Sequence, residues 1–191
     1  SPIMVSSENN VMILKDQSFN NYQNDFFFNT IFQTLDVSYC SFRNCNQLKP
    51  FTDFATEGYS SDNCGGAIYV LGCTEVSVRV TYFEDCSSSS QGGALFFMNV
   101  ASGVVIKECY FRNITGYYGS AICIVDSNST VCNCDFSYCT ASLNDEMATT
   151  GTIVVRGNTS ALSVSKCSFI GSGFTGRYST GYADVLCQRK G

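Results

Sequence analysis

Histidine and tryptophan are absent from this chain of 191 residues, and proline occurs only twice. Without an imidazole there is no Ser-His-Asp or Cys-His catalysis, no His-ligated zinc or haem, and no ordinary imidazole pH switch. Charge is scarce as well, at 14% of residues, and the balance is acidic: 11 Lys and Arg against 16 Asp and Glu, a net charge of −5. Such a surface argues against nucleic acids and anionic membranes as partners. No apolar run approaches the roughly 18 residues that a helical membrane span requires. The chain opens Ser-Pro-Ile, with neither an initiator Met nor a signal peptide, and reads as a processed or excised piece.

What the chain does have is hydrophobic residues at 45%, with twelve Cys, fifteen Phe, eleven Tyr and sixteen Gly. That suffices to bury the core of one domain, residues 1–191, or of one segment of a longer solenoid. The Phe and Gly residues repeat. Phe19, Phe42, Phe83, Phe111, Phe136 and Phe169 each follow an aliphatic by five residues: Leu14, Val37, Val78, Ile106, Val131 and Val164. Seven before each Phe lie Met12, Leu35, Val76, Val104, Ser129 and Leu162. Two before lie Gln17, Cys40, Thr81, Cys109, Cys134 and Cys167; two after lie Asn21, Asn44, Asp85, Asn113, Tyr138 and Gly171.

A second block precedes the Phe block. It reads Gly-Gly-Ala-Ile at 65–68, Gly-Gly-Ala-Leu at 92–95, Gly-Ser-Ala-Ile at 119–122 and Gly-Thr-Ile-Val at 151–154, with a looser copy over 181–185. Alternation follows: Ile68/Val70, Leu95/Phe97, Ile122/Ile124 and Ile153/Val155 share one face, the period of strands and not of helices. Tight hairpin meanders would need Asn-Gly or Asp-Gly turns, and the chain has neither. Units this short bury their apolar faces only by stacking. The expected fold is therefore all-β: a right-handed, single-stranded parallel β-helix of about six to seven coils, with each column stacking on itself about 4.8 Å apart. The Phe column becomes an internal aromatic stack, the Asn column a corner ladder, and Arg43–Glu84–Arg112 an outward charge ladder.

Two stretches interrupt the repeat. One, about 46–63, holds the internal Pro50 together with Phe51, Phe54 and Tyr59; the other, about 140–150, holds Asp145, Glu146 and Met147. Insertions in a solenoid become loops on one edge, where binding concentrates. Phe51, Phe54 and Tyr59 are accordingly the candidate partner-binding residues.

Twelve cysteines is an even number and high for a reduced compartment. Adjacent coils bring Cys45 to Cys86, and Cys109, Cys134 and Cys167 to one another, within disulfide reach, while Cys40/Cys45 and Cys134/Cys139 can bridge around a corner. The alternative is that these thiols stack unoxidised as small hydrophobes; several disulfides are the expectation carried forward. Asn113-Ile-Thr, Asn128-Ser-Thr and Asn158-Thr-Ser are glycosylation sequons, with Asn128 and Asn158 in expected turns. Disulfides and glycans both point to an extracellular or cell-surface location.

The Gly-Gly-Ala-Ile/Leu blocks at 65–68 and 92–95, loosely 119–122, and the tetrads Phe42-Arg-Asn-Cys45, Phe83-Glu-Asp-Cys86 and Phe111-Arg-Asn-Ile114 resemble the repeats of polymorphic membrane proteins, the chlamydial autotransporter adhesins. Related repeats occur in surface proteins of some protist parasites. In that family Asn is the fourth residue of the tetrad, whereas here Asn or Asp is third. The resemblance covers most of 12–185 and implies a secreted or surface right-handed β-helix used in adhesion or as a structural spacer.

Many β-helix proteins act on polysaccharides, a chemistry that depends on paired acids. Glycoside hydrolysis requires two carboxylates converging at about 5–9.5 Å. The acids of the coils are scattered, Asp16 and Glu108 before the Phe, Asp135 adjacent to it and Glu84 after it, leaving only Asp126 and Asp145-Glu146 as a possible pair. The expectation is a non-enzymatic module for adhesion or assembly, without cofactor or metal. Its partner would be a surface protein or glycan, or further β-helix domains or subunits stacked end to end. A carbohydrate-active enzyme or carbohydrate-binding module is the alternative.

Overall fold

The computed structural model describes residues 6–8, 11–22, 28–29, 34–47, 64–142, 149–158, 160–175 and 181–188. Among these there is no helix; every regular element is a strand, and the strands stack in four sheets. From Val11 onward the chain visits the sheets in turn, so consecutive described strands do not pair and each pairs with its counterparts in neighbouring circuits. This solenoid-like stack of parallel strands is compatible with the expected parallel β-helix.

The first sheet carries the aliphatic columns. Val11–Lys15, Thr34–Ser38, Glu75–Arg79, Gly103–Lys107, Ser129–Cys132 and Leu162–Ser165 are parallel, with Leu14, Val37, Val78, Ile106, Val131 and Val164 in one register line. One strand breaks the rule: Ser6–Glu8 runs antiparallel along Val11–Ile13 and pairs the edge that would otherwise stand open there.

The second sheet holds the aromatic column: Ser18–Asn20, Ser41–Arg43, Tyr82–Glu84, Tyr110–Arg112, Asp135–Ser137 and Ser168–Ile170. The six Phe rings lie directly above one another, with successive centroids 4.7, 5.2, 4.8, 4.7 and 4.9 Å apart. In-register parallel pairing imposes this spacing, since identical residues one circuit apart must superpose. Phe42, Phe83, Phe111 and Phe136 are fully buried.

A third sheet of short strands follows: Asn46–Gln47, Ser87–Ser88, Thr115–Gly116, Thr140–Ser142 and Gly173–Thr175. The fourth contains Phe28–Asn29, Ile68–Leu71, Leu95–Met98, Ile122–Val125, Thr149–Arg156 and Gly181–Gln188. Ile68, Leu95, Ile122, Ile153 and Val185 align, as the Gly blocks predict. In the fourth block, however, Ile153 and not Val154 stands opposite Ile122. Gly151 therefore matches Ser120, and Thr150 takes the place of the first Gly. Gly65, Gly92 and Gly119 have φ near +65°, a left-handed corner, whereas Thr150 is part of an extended strand.

The fourth sheet departs from expectation on its outer side. Alternation predicts one buried and one solvated face, yet Tyr69, Phe96, Cys123, Val125 and Val154, which point away from the main core, are also buried and form a cluster of their own. Tyr69 and Phe96 stack at 5.3 Å. Sheets covered on both sides read as continuous apolar runs, and Ile-Tyr-Val-Leu, Leu-Phe-Phe-Met and Ile-Cys-Ile-Val are such runs.

Candidate functional site

The corners decide which side chains face outward. Two columns of left-handed residues flank the Phe sheet: Asp16, Tyr39, Val80, Glu108, Asn133 and Lys166 before it, and Asn21, Asn44, Asp85, Asn113, Tyr138 and Gly171 after it. The second is the expected polar ladder; Asn44 Nδ2 donates to Asn21 Oδ1 at 2.7 Å, and Asn113 Nδ2 to Asp85 Oδ1 at 3.1 Å. The first was not foreseen from the sequence, because its residues share no chemistry. Val80, β-branched at φ 46°, is the costly member.

In the first column every left-handed residue, and in the second Asn44, Asp85 and Tyr138, is followed by a side-chain donor that bonds back to the carbonyl two residues before that donor. Thr81 Oγ1 donates to Arg79 O at 2.8 Å, and Gln17 Nε2 to Lys15 O at 3.2 Å. In most corners the donor is a cysteine. Cys40, Cys45, Cys86, Cys109, Cys134, Cys139 and Cys167 each direct Sγ to that carbonyl and to one in the preceding circuit, as Cys86 does to Glu84 O at 3.4 Å and Phe42 O at 3.5 Å.

No disulfide is found among the described residues, which hold all the cysteines of the chain. All twelve cysteines are free thiols, including the expected partners Cys45 and Cys86, the column Cys109, Cys134 and Cys167, and the corner pairs Cys40/Cys45 and Cys134/Cys139. Column neighbours point side by side into the core and spend their sulfurs on main-chain carbonyls at the corners. Their acidity fits that role. A hydrogen bond with Cys45, then burial, pushes the Cys86 thiol well up; a hydrogen bond with Cys109, then burial, does the same to Cys134; burial raises Cys139 to about 12. Thiolates are the reactive form, so these are poor nucleophiles.

The acids stay apart. Glu84 is held between Arg43, at 3.2 Å, and Arg112, at 3.6 Å, so the expected charge ladder forms. Asp135 accepts a hydrogen bond from Ser168 Oγ. Asp16 and Glu108 share a corner column but are separated along it by Tyr39 and Val80. Among the described residues, no group of three or more His, Cys, Asp or Glu side chains is placed to hold a metal ion.

Phe51, Phe54 and Tyr59 lie outside the described residues, as do Asp145 and Glu146. The first insertion is shorter than the sequence suggests, since Asn46 and Gln47 pair with Ser87 and Ser88 in the third sheet. Both interruptions join a strand of the third sheet to one of the fourth. Asn113, Asn128 and Asn158 are exposed at corners or turns, but Asn128 Oδ1 accepts from Ala161 N at 3.0 Å.

An outer aromatic face was missed altogether. Tyr82 and Tyr110, one residue before their Phe partners, project outward and stack at 4.7 Å with ring planes 8° apart. They remain 50% and 42% exposed. Ser41 and Ser18 occupy the same column in the preceding circuits, their hydroxyls 3.0 Å apart, so the column drops from two rings to two small side chains. The step opens a groove of about 380 Å³ lined by Tyr82, Tyr39, Ser41, Ser18, Asp16, Gln17, Cys40 and Val80. The signal was present: the residue before each Phe reads Ser, Ser, Tyr, Tyr, Asp, Ser.

The fold and this outer face together define an all-β, solenoid-like protein with an exposed aromatic strip. Comparison with protein-family models, with curated proteins and with solved structures finds no match to this chain.

Proposed function

We propose that the chain is a non-enzymatic, right-handed parallel β-helix of about six to seven coils that acts in adhesion, or as a structural module, on an extracellular or cell surface. The observation that carries this reading is the exposed tyrosine strip beside the Arg43–Glu84–Arg112 ladder. Exposed aromatic rings with arginine close by form the type of surface enriched in binding interfaces. The separate engagement of Glu84 and Asp135 further supports a binding role over hydrolysis. Phe51, Phe54 and Tyr59 remain a second proposed contact, and Asn113, Asn128 and Asn158 remain proposed glycan acceptors. An assembly role has a different observation behind it: Leu162, Val164, Cys167, Phe169 and Val185, in the last described strands, are only partly buried, a face that further β-helix coils, domains or subunits would cover by the same stacking.

The test is direct. Fluorescently labelled chain is sedimented with intact cells and insoluble polysaccharides, and the same mixtures are assayed for new reducing ends and unsaturated sugars. Retention without bond cleavage is expected. Cleavage products would overturn the non-enzymatic reading, and loss of retention on every surface would overturn adhesion.

A further inference from the structure

We propose that the step in the tyrosine column is a binding subsite for a neutral hexopyranose residue of a surface glycan. This deepens the adhesion reading and rests on it. Tyr82 gives one face of its ring to Tyr110, and its other face looks along the column over Ser41, where nothing larger than a hydroxymethyl group intervenes. Tyr39, 59% exposed at its left-handed corner, lines the same groove. A pyranose ring presents C–H groups on its faces and hydroxyls around its edge. It therefore suits a site with an aromatic face and polar groups at the margin, a few of which fix orientation.

Ser18 and Ser41 supply hydroxyls at the floor, the Asp16 carboxylate accepts, and the Gln17 amide, apart from the N–H spent on Lys15 O, has capacity to donate and accept. The composition of the groove selects against other occupants. Among the described residues that line it the only formal charge is the negative one of Asp16, on a chain of net charge −5, which disfavours phosphorylated, sulfated or uronic ligands. A hydrophobic peptide would meet two serine hydroxyls where it needs apolar floor. The first tyrosine–serine step along the column places the subsite at one position; Tyr110 and Tyr82 beyond it form a rim against which a longer chain can lie.

Fluorine is absent from natural side chains, so fluorinated tyrosines can be observed without interference. The full chain is labelled with 3-fluorotyrosine, and its fluorine NMR spectrum is titrated with cellohexaose, maltohexaose or laminarihexaose, with polygalacturonate as the anionic control. At least one neutral hexaose should shift the resonances of Tyr39 and Tyr82, assigned from Tyr39→Phe and Tyr82→Phe. Tyr82→Ser should weaken binding by tenfold or more. Ser41→Tyr, which extends the aromatic column and fills the step, should abolish it while thermal unfolding stays cooperative. No shift with any neutral hexaose overturns the proposal, as does a response to polygalacturonate alone. Binding that survives Ser41→Tyr overturns the site. Retention on cell surfaces unaffected by Tyr82→Ser and Ser41→Tyr would mean a protein partner elsewhere, leaving the adhesion reading standing while this subsite falls.

Discussion

The Phe sheet and the Gly-led sheet solve the same stacking problem differently. In the Phe sheet one face is core and the other is wet: Phe111 is buried while its neighbours Tyr110 and Arg112 are exposed. In the Gly-led sheet Leu95, Phe96 and Phe97 are all buried, so both faces are core. The one-sided sheet is free to present chemistry, and the two-sided sheet is not. Outward substitutions should therefore be tolerated in the first and damaging in the second.

The largest effect expected is at the corner of the two-sided sheet. A Cβ on Gly93 would lie 2.1 Å from Ser120 O and 2.5 Å from Thr115 O, both backbone. We predict that Gly93→Ala costs about 4 kcal/mol or more. Gly173→Ala, with nothing within 4 Å of its added Cβ, should be nearly silent in the same urea titration. Equal costs would refute the close backbone approach.

Next come the aromatic truncations. Phe111→Ala in the inner stack and Phe96→Ala on the outer side of the Gly-led sheet should each cost about 3–5 kcal/mol. Tyr110→Ala, outward on the one-sided sheet, should cost well under that, about 1 kcal/mol including its stacking on Tyr82. If Phe96→Ala behaves like Tyr110→Ala, the second core does not exist.

Alkaline stability probes the same contrast through thiols. Cys139 in the main core and Cys123 in the outer cluster both hold their protons above the ordinary value of 9.0 because burial disfavours the thiolate. A folded thiol then retains a proton that the unfolded chain has released. Stability should be intact below about pH 9 and fall as pH rises toward 12, by up to about 1.4 kcal/mol per pH unit for each such thiol. Cys123→Val should flatten the slope between pH 9 and 10.5; an unchanged slope would mean that the outer cluster is wet. Reductant should leave the melting temperature unchanged, whereas a drop of several degrees would restore the disulfides.

The smallest effect belongs to the exposed ladder. Glu84→Gln removes both arginine contacts and should cost no more than about 1 kcal/mol, less in high salt. A larger loss would mean that the outer face of the Phe sheet is structural.

The inner columns were legible because stacking forces like upon like, and every Phe, Val and Asn in them repeats its own chemistry. The first corner column escaped notice for the opposite reason. Left-handed geometry at Asp16, Tyr39, Val80 and Glu108 is imposed by the circuit and met by whatever residue stands there. The spacing of the cysteines shows that two sulfurs are neighbours, not that a carbonyl beside each accepts a hydrogen bond from it. The groove is not legible in the repeat because it depends on a change along a column, from Ser41 to Tyr82, whereas a repeat shows only what stays the same.

In-register pairing of Phe83 with Phe111 also has a consequence for how such a chain changes length. Their neighbours Glu84 and Arg112 occupy matching places. Excising residues 84–111 would join Phe83 to Arg112 with the same backbone direction on either side of the cut, shortening the stack by about 4.8 Å and leaving every remaining column continuous. Length in this architecture is a count of interchangeable turns, so the molecule can be lengthened or shortened without inventing a new core.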